Sequence, residues 1–212
     1  IAMASESVED RIEGLLHGHT DGDAQIVRDY LQMIQKESFR CREITTKLLD
    51  FSRGGESTRE STDVTALIRE VIAMVQHLSK YREMHIQFRA EWSSYLEANP
   101  AEIKQVILNL VANGLESMEA GGTLSIEIVE RTDAVRIEFR DEGCGMTSEV
   151  IENLFEPFFT SRRVGKGTGL GLSISHRIIN DHGGTIEARS DGPGQGSIFA
   201  VSLPRRVMSA VA

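Results

Sequence analysis

The chain has 212 residues, 40% of them hydrophobic and 26% charged, with a net charge of −9. That length allows one large domain, or a domain and a smaller element, with a sizeable core. The acidic balance excludes a nucleic-acid or anionic-membrane surface as the first expectation. Cys41 and Cys144 lie far apart with no metal-ligand spacing, which fits a reduced, cytosolic setting. No apolar run approaches the roughly 18 residues that span a bilayer. Ile1 is not an initiator, so the chain is expected to begin mid-protein, with upstream sensor or membrane-anchoring segments left open.

Residues 1–53 read as two helices around a break. Gly14, Gly18 and Gly22 cluster there, with Thr20, Asp21 and Asp23 as turn or cap residues. In the second helix Val27, Tyr30, Ile34, Glu37, Cys41, Ile44, Leu48 and Phe51 recur in steps of three and four, a heptad seam with only Glu37 polar. Two helices alone bury little, so the hairpin is expected to dimerise into a four-helix bundle. The first helix, over 1–16, is about half as long as the second, over 24–53, and is expected to continue upstream of Ile1.

Residues 54–62 (GGESTREST) read as a polar linker. The spacing then predicts a helix over 64–80, a strand around Ile86, Phe88 and Ala90, and a helix over 100–118 started by Pro100. Alternation at Leu124, Ile126 and Ile128, and again at Val135, Ile137 and Phe139, predicts two strands joined by a turn at 131–134. A helix over 170–182 and strands over 185–189 and 197–203 complete residues 63–205, leaving 206–212 as a tail. The expected class is α+β: a two-layer α/β sandwich with a mixed, mostly antiparallel sheet, preceded by the helical hairpin.

Four segments carry candidate chemistry. Asn109 and Asn113 sit one helical turn apart with Glu116 on the same face, while Ile103, Val106, Ile107, Leu110, Val111, Leu115 and Met118 occupy the other. Amide oxygens suit Mg²⁺, which takes hard oxygen ligands; taken alone, the stripe reads as a solvated polar face. Asp141-Glu142-Gly143-Cys144-Gly145 follows a strand, where a carboxylate can accept from an amino group and glycines let the backbone come close. Phe155, Phe158 and Phe159 stand beside Arg162 and Arg163, three aromatics in a loop that at least partly packs the loop down. Gly165-Lys166-Gly167-Thr168-Gly169-Leu170-Gly171-Leu172 opens a helix, where bare amides form an anion cradle. The last is neither a Walker A loop nor a dinucleotide fingerprint.

In order and spacing these segments resemble the N, G1, F and G2 boxes of the sensor histidine kinase catalytic domain, within the gyrase, Hsp90, histidine kinase and MutL ATPase superfamily. The resemblance covers about 62–204, and 37–53 (ESFRCREITTKLLDFSR) is similar to the second helix of the family's dimerisation and phosphotransfer hairpin. It implies the Bergerat-type ATP-binding fold, with ATP and Mg²⁺ as ligands. It implies Mg²⁺ binding at Asn113 with Asn109 as partner, and adenine binding at Asp141 with Gly143 and Gly145 shaping the pocket. It further implies an ATP lid over about 147–168 that includes Phe158, with triphosphate binding by Arg162, Lys166, Gly167, Thr168, Gly169, Leu170 and Gly171. Arg162 stands where many members have lysine, presenting a planar fork rather than a point charge.

The superfamily's hydrolases carry a water-activating glutamate four residues before the Mg²⁺ asparagine. Here that residue is Asn109, and an amide is not a useful general base. The reading is therefore a kinase whose nucleophile comes from elsewhere. None of the six histidines fits the family's His-acid-Asn-Pro-Leu pattern, so the phosphoacceptor is expected upstream of Ile1. The implied partners are a second copy through the hairpin, a response-regulator receiver domain and an upstream sensor domain. A related serine or anti-sigma kinase is disfavoured by the heptad hairpin; a nucleotide-responsive dimerisation module without catalysis is the remaining alternative.

Overall fold

The computed structural model describes residues 29–31, 33, 34, 38, 58–119, 121–160 and 168–205. The chain divides into two compact units, Ile1–Gly55 and Glu56–Ala212. In the first, residues 29–31, 33, 34 and 38 are helical; Leu31 is buried while Tyr30, Met33 and Ile34 are exposed. The rest of the hairpin and its seam lies outside the described residues, as does the 206–212 tail.

The second unit opens on β1 (Glu60–Asp63), which pairs antiparallel with β3 (Tyr95–Ala98) in a two-stranded ribbon. The last residues of the segment read as a linker thus belong to this ribbon, because Thr62 buries its side chain and donates its hydroxyl to Ala98 O at 3.0 Å. Asp63 then caps α1 (Val64–Gln76), accepting from Ala66 N. Val64, Ile68, Val71 and Val75 are buried at helical spacing, so one stripe faces the core. Helix α1 stops at Gln76, four residues short of the predicted end, and a 3₁₀ turn over Ser79–Tyr81 leads to β2 (His85–Arg89).

Helix α2 (Pro100–Ser117) starts on Asn99, whose side chain accepts from Ala101 N and Glu102 N, with Pro100 in the first turn, where its missing N–H costs nothing. Strands β4 (Thr123–Glu130) and β5 (Ala134–Asp141) form a hairpin, α3 (Ser148–Asn153) follows, then α4 (Gly171–Asp181), β6 (Thr185–Arg189) and β7 (Ser197–Pro204). The five-stranded sheet has the order β2-β4-β5-β7-β6; β2 runs parallel to β4 and every other pair is antiparallel. This is the mixed, mostly antiparallel sheet expected.

The period-two alternation settles which face meets the helices. Ile126 stands opposite Phe139, which stands opposite Phe199; Ile128, Ile137, Val201 and Ile186 form the next row. All are buried together with the inner stripes of α1, α2 and α4 in one core. Continuing the alternation from Val135, Ile137 and Phe139 puts Asp141 on this same inward face, at the end of β5, between Leu124 and Ser197. A carboxylate is therefore delivered to the edge of an apolar core by strand register alone. Gly114 makes the close approach of α2 possible: a Cβ there would meet Leu124 Cδ1 at 2.7 Å and Asp141 Cβ at 3.7 Å.

Candidate nucleotide-binding site

The site is bounded by the polar stripe of α2, the loop after β5, and the first turn of α4 with residues 168–170 before it. Asp141 is 5% exposed. Its Oδ1 accepts from Gly143 N at 2.9 Å and from Ser117 Oγ at 3.0 Å. Burial pushes the carboxyl above its ordinary 3.8, and hydrogen bonds from Gly143, Ser117 and Ser197 only partly oppose this. The Ser117 hydroxyl also lies 2.8 Å from Gly114 O, so its one proton serves Asp141 or the helix carbonyl, not both. An aspartate held this way gains from an amino donor at its mouth.

Gly143 and Gly145 have distinct reasons to be glycine. A Cβ on Gly143 would lie 2.0 Å from Ser117 Oγ and 2.7 Å from Asp141 Oδ1. Gly145 has φ 66°, and its Cβ would strike Gly192 O at 2.1 Å. The loop after β5 is laced to the β6–β7 turn and to α2: Cys144 N donates to Ser117 O at 3.0 Å, Gly194 N to Cys144 O at 2.7 Å and Gly196 N to Gly143 O at 3.1 Å. Ser190 completes the lacing. Its hydroxyl accepts from Met146 N at 3.0 Å and lies 2.7 Å from Gly196 O. Neither Ser117 nor Ser190 is singled out by the sequence; a lone serine carries no periodic or motif signal, and both act through partners distant in the chain.

On α2, Asn113 is half-buried. Asn109 turns its Nδ2 to Gly171 O and to Ser175 Oγ, each at 3.2 Å. Asn109 thus ties α2 to the first turn of α4, and its amide nitrogen is spent on that junction. Among the described residues no group of three or more His, Cys, Asp or Glu could hold a metal. Amide oxygens such as those of Asn113 and Asn109 are hard donors of the kind that suits Mg²⁺, which takes its other ligands from water and phosphate.

Helix α4 begins on Leu170, whose side chain makes no capping hydrogen bond, and the first amides of a helix are groups that can receive an anion. Leu170 itself is buried, and any part it takes is through its backbone. A Cβ on Gly171 would approach nothing closer than 3.7 Å; protein packing does not demand glycine there, whereas an anion resting on those amides would. Gly169 and Phe158 are joined by Phe158 N–H donating to Gly169 O at 2.9 Å. Both residues have left-handed backbone, φ 66° and 68°, and a Cβ at Gly169 would fall 2.4 Å from Phe158 C. A positive φ at phenylalanine is strained, and the Phe158 ring is 62% exposed. Phe155, by contrast, packs on His176, ring centroids 5.0 Å apart, and Leu154 is buried, so this loop is half anchored and half presented. The Thr168 hydroxyl accepts from Leu170 N at 3.4 Å. Arg162, Lys166 and Gly167 lie outside the described residues.

Of the remaining histidines, His182 is structural. It is 2% exposed, its Nδ1 lies 2.7 Å from Ile178 O and its Nε2 accepts from Asn99 N at 3.1 Å.

A buried aspartate at a strand end, a helix stripe carrying an asparagine, and an uncapped glycine-led helix define a nucleotide-binding domain of the α/β sandwich kind. Residues 98–207, just over half of the 212-residue chain, match the family of histidine kinase-, DNA gyrase B-, and HSP90-like ATPases. The chain belongs to this family. The sensor histidine kinase ZraS of Escherichia coli K12 is 31% identical over 174 residues, covering 82% of this chain and 37% of ZraS. Among solved structures, the catalytic domain of histidine kinase ThkA shares 31% identity with a TM-score of 0.63, over 70% of this chain and 96% of that one. ThkA in complex with the response regulator protein TrrA gives 26% identity and a TM-score of 0.72, over 96% of this chain and 58% of that one. The chain spans little more than a third of the length of ZraS.

Proposed function

We propose that this chain is the ATP-binding and dimerising core of a sensor histidine kinase. It binds Mg²⁺ and ATP and promotes transfer of the γ-phosphoryl group to a histidine of the longer protein, from which a response-regulator aspartate takes it. The observation that carries the choice of kinase over hydrolase is Asn109. One turn before Asn113 the chain offers an amide already bonded to Gly171 O and Ser175 Oγ, not a base that could activate water. In such a site transfer relies on positioning and charge neutralisation, with the acceptor supplied from outside the pocket.

The role of each residue follows. Asp141 accepts the adenine amino group, Gly143 and Gly145 let the backbone close on the ring, and Asn113 supplies an amide oxygen to Mg²⁺. The α4 amides and Gly167, Gly169 and Gly171 receive the phosphates, with Arg162 and Lys166 as cations. Mg²⁺, when bound, would neutralise phosphate charge. Dimerisation through the hairpin is supported by Tyr30 and Ile34, seam positions that are exposed in the single chain. The ThkA complex is the model for regulator docking. Drawing on ATP, this portion works in the cytoplasm; among the described residues no helix is long and apolar enough to cross a membrane.

The test has two parts. Calorimetry should show Mg²⁺-dependent ATP binding that Asn113→Asp and Asp141→Ala each abolish; unchanged affinity in both sinks the site. The full-length protein given γ-labelled ATP should then acquire acid-labile phosphate. Binding without transfer would mark a non-catalytic nucleotide-responsive module instead.

A further inference from the structure

One charged cluster borders the α2 stripe and has no part in the roles above. Glu116 shares the stripe with Asn109 and Asn113. Its Oε1 accepts from Lys80 Nζ at 2.6 Å and from the Tyr81 hydroxyl at 3.0 Å, and the Lys80 ammonium stands 5.0 Å from the centroid of the Tyr81 ring. Burial works against the charge on Lys80, but the hydrogen bond and negative charge of Glu116 outweigh it and hold the ammonium above its ordinary pKa.

Lys80 and Tyr81 hold on to Glu116 very differently. Tyr81 is 9% exposed and fixed in the 3₁₀ turn, its N–H donating to Leu78 O at 3.0 Å and its carbonyl accepting from Met84 N at 3.1 Å. The Lys80 side chain is 64% exposed, and an ion pair open to water is worth little. Lys80 can therefore leave Glu116 easily, whereas Tyr81 cannot. A bare carboxylate beside a polyphosphate would repel it. Paired in this way, the carboxylate instead stores a cation. Residues three apart on a helix have Cβ atoms about 5–6 Å apart, a span that a swinging lysine covers, so Lys80 waits within reach of Asn113.

We infer that Lys80 is a phosphate-binding residue of this nucleotide site, parked on Glu116 and Tyr81 and passed from the carboxylate to the nucleotide's phosphate chain when ligand binds. The inference rests on the nucleotide reading above. A built-in comparison exists in Lys104 and Glu70, an ion pair at 2.8 Å that also involves α2 but lies half a turn round that helix from Asn113.

The experiment measures ADP and ATP binding with Mg²⁺ by calorimetry, and adenosine by competition, on the 212-residue chain. Lys80→Gln should weaken ADP and ATP by about tenfold, the worth of one charge-assisted contact, and leave adenosine within about twofold. Lys104→Gln should change none of them. Glu116→Gln should bind ADP at least as tightly as the parent, and the double variant should remain about tenfold weaker than Glu116→Gln alone. The inference is overturned if Lys80→Gln leaves ADP unchanged, or weakens adenosine as much as ADP, which would mark a packing role. It is equally overturned if the double variant matches Glu116→Gln, which would mean that Lys80 only cancels Glu116. A parent chain that binds neither ADP nor ATP overturns the nucleotide reading, and this inference with it.

Discussion

Gly143→Ala tests the proposed adenine end of the site most sharply, because the structure fixes what one added methyl group would meet. The new Cβ would sit 2.0 Å from Ser117 Oγ, 2.7 Å from Ser117 Cβ and 2.7 Å from Asp141 Oδ1. The hydroxyl can rotate away, but the Ser117 Cβ is fixed to α2 and the carboxyl is held by strand register. Overpacking of this kind costs about 1–3 kcal/mol. Displacing Ser117 from Asp141 forfeits a hydrogen bond to a charged group, about 1.5–3 kcal/mol. Part of the strain relaxes by moving the loop, so a net loss of about 3 kcal/mol in adenine-nucleotide binding is expected, roughly a hundredfold in Kd. Calorimetry with ADP measures it, and urea unfolding of the same variant separates binding from folding. Ser117→Gly on the Gly143→Ala background removes both clashing Ser117 atoms and should recover part of the affinity, whereas Ser117→Gly alone should weaken binding. Wild-type affinity in Gly143→Ala, or no recovery in the pair, would refute the account of Gly143 as the residue that lets Ser117 and Asp141 meet.

Asp141 should make stability and binding diverge with pH. Its carboxyl titrates above 3.8 in the fold, so as pH rises from the unfolded value through the folded one the native state holds the extra proton and stability falls. Asp141→Asn should flatten that slope in urea midpoints, while weakening ADP binding by about ten- to a hundredfold. Because an amino donor favours the ionised carboxylate, ADP affinity of the parent should rise over the same window, read as proton release in buffers of different ionisation enthalpy. His182→Ala empties a buried position and strands Asn99 N–H, so urea unfolding should show a loss of about 2–4 kcal/mol, with ADP affinity changed by less than about threefold. Ser190→Ala removes the acceptor for Met146 N and should speed hydrogen exchange at that amide by about tenfold, the worth of one buried hydrogen bond.

How far the sequence reaches into this site depends on whether a residue's role is local or borrowed. The main helices and the five sheet strands were legible because each carries its own period: 64, 68, 71 and 75 on α1, and 135, 137 and 139 on β5. Asp141 was legible as a carboxylate just after a strand, and the glycines by the bare amides they leave. What escaped is whatever draws its stability from partners far along the chain. The β1–β3 ribbon is four residues on each side, too short to show a period, and exists because Thr62, Leu96 and Ala98 find the core. Helix α3 is a six-residue turn capped by Thr147, below the length at which helical periodicity can be read. Ser117 and Ser190 are the same case at single-residue scale, since each matters through groups that the fold brings to it, Asp141 Oδ1 for Ser117 and Met146 N for Ser190. Asn109 is the instructive intermediate. Its spacing from Asn113 places it on the right face, and its chemistry excludes a base, yet the junction it makes with Gly171 and Ser175 needs α4 to be docked on α2. That junction couples the stripe holding Asn113 to the helix start proposed to receive phosphate. The amide at position 109 thus does two things at once: it withholds a base from water, and it fixes the distance between the two halves of the site.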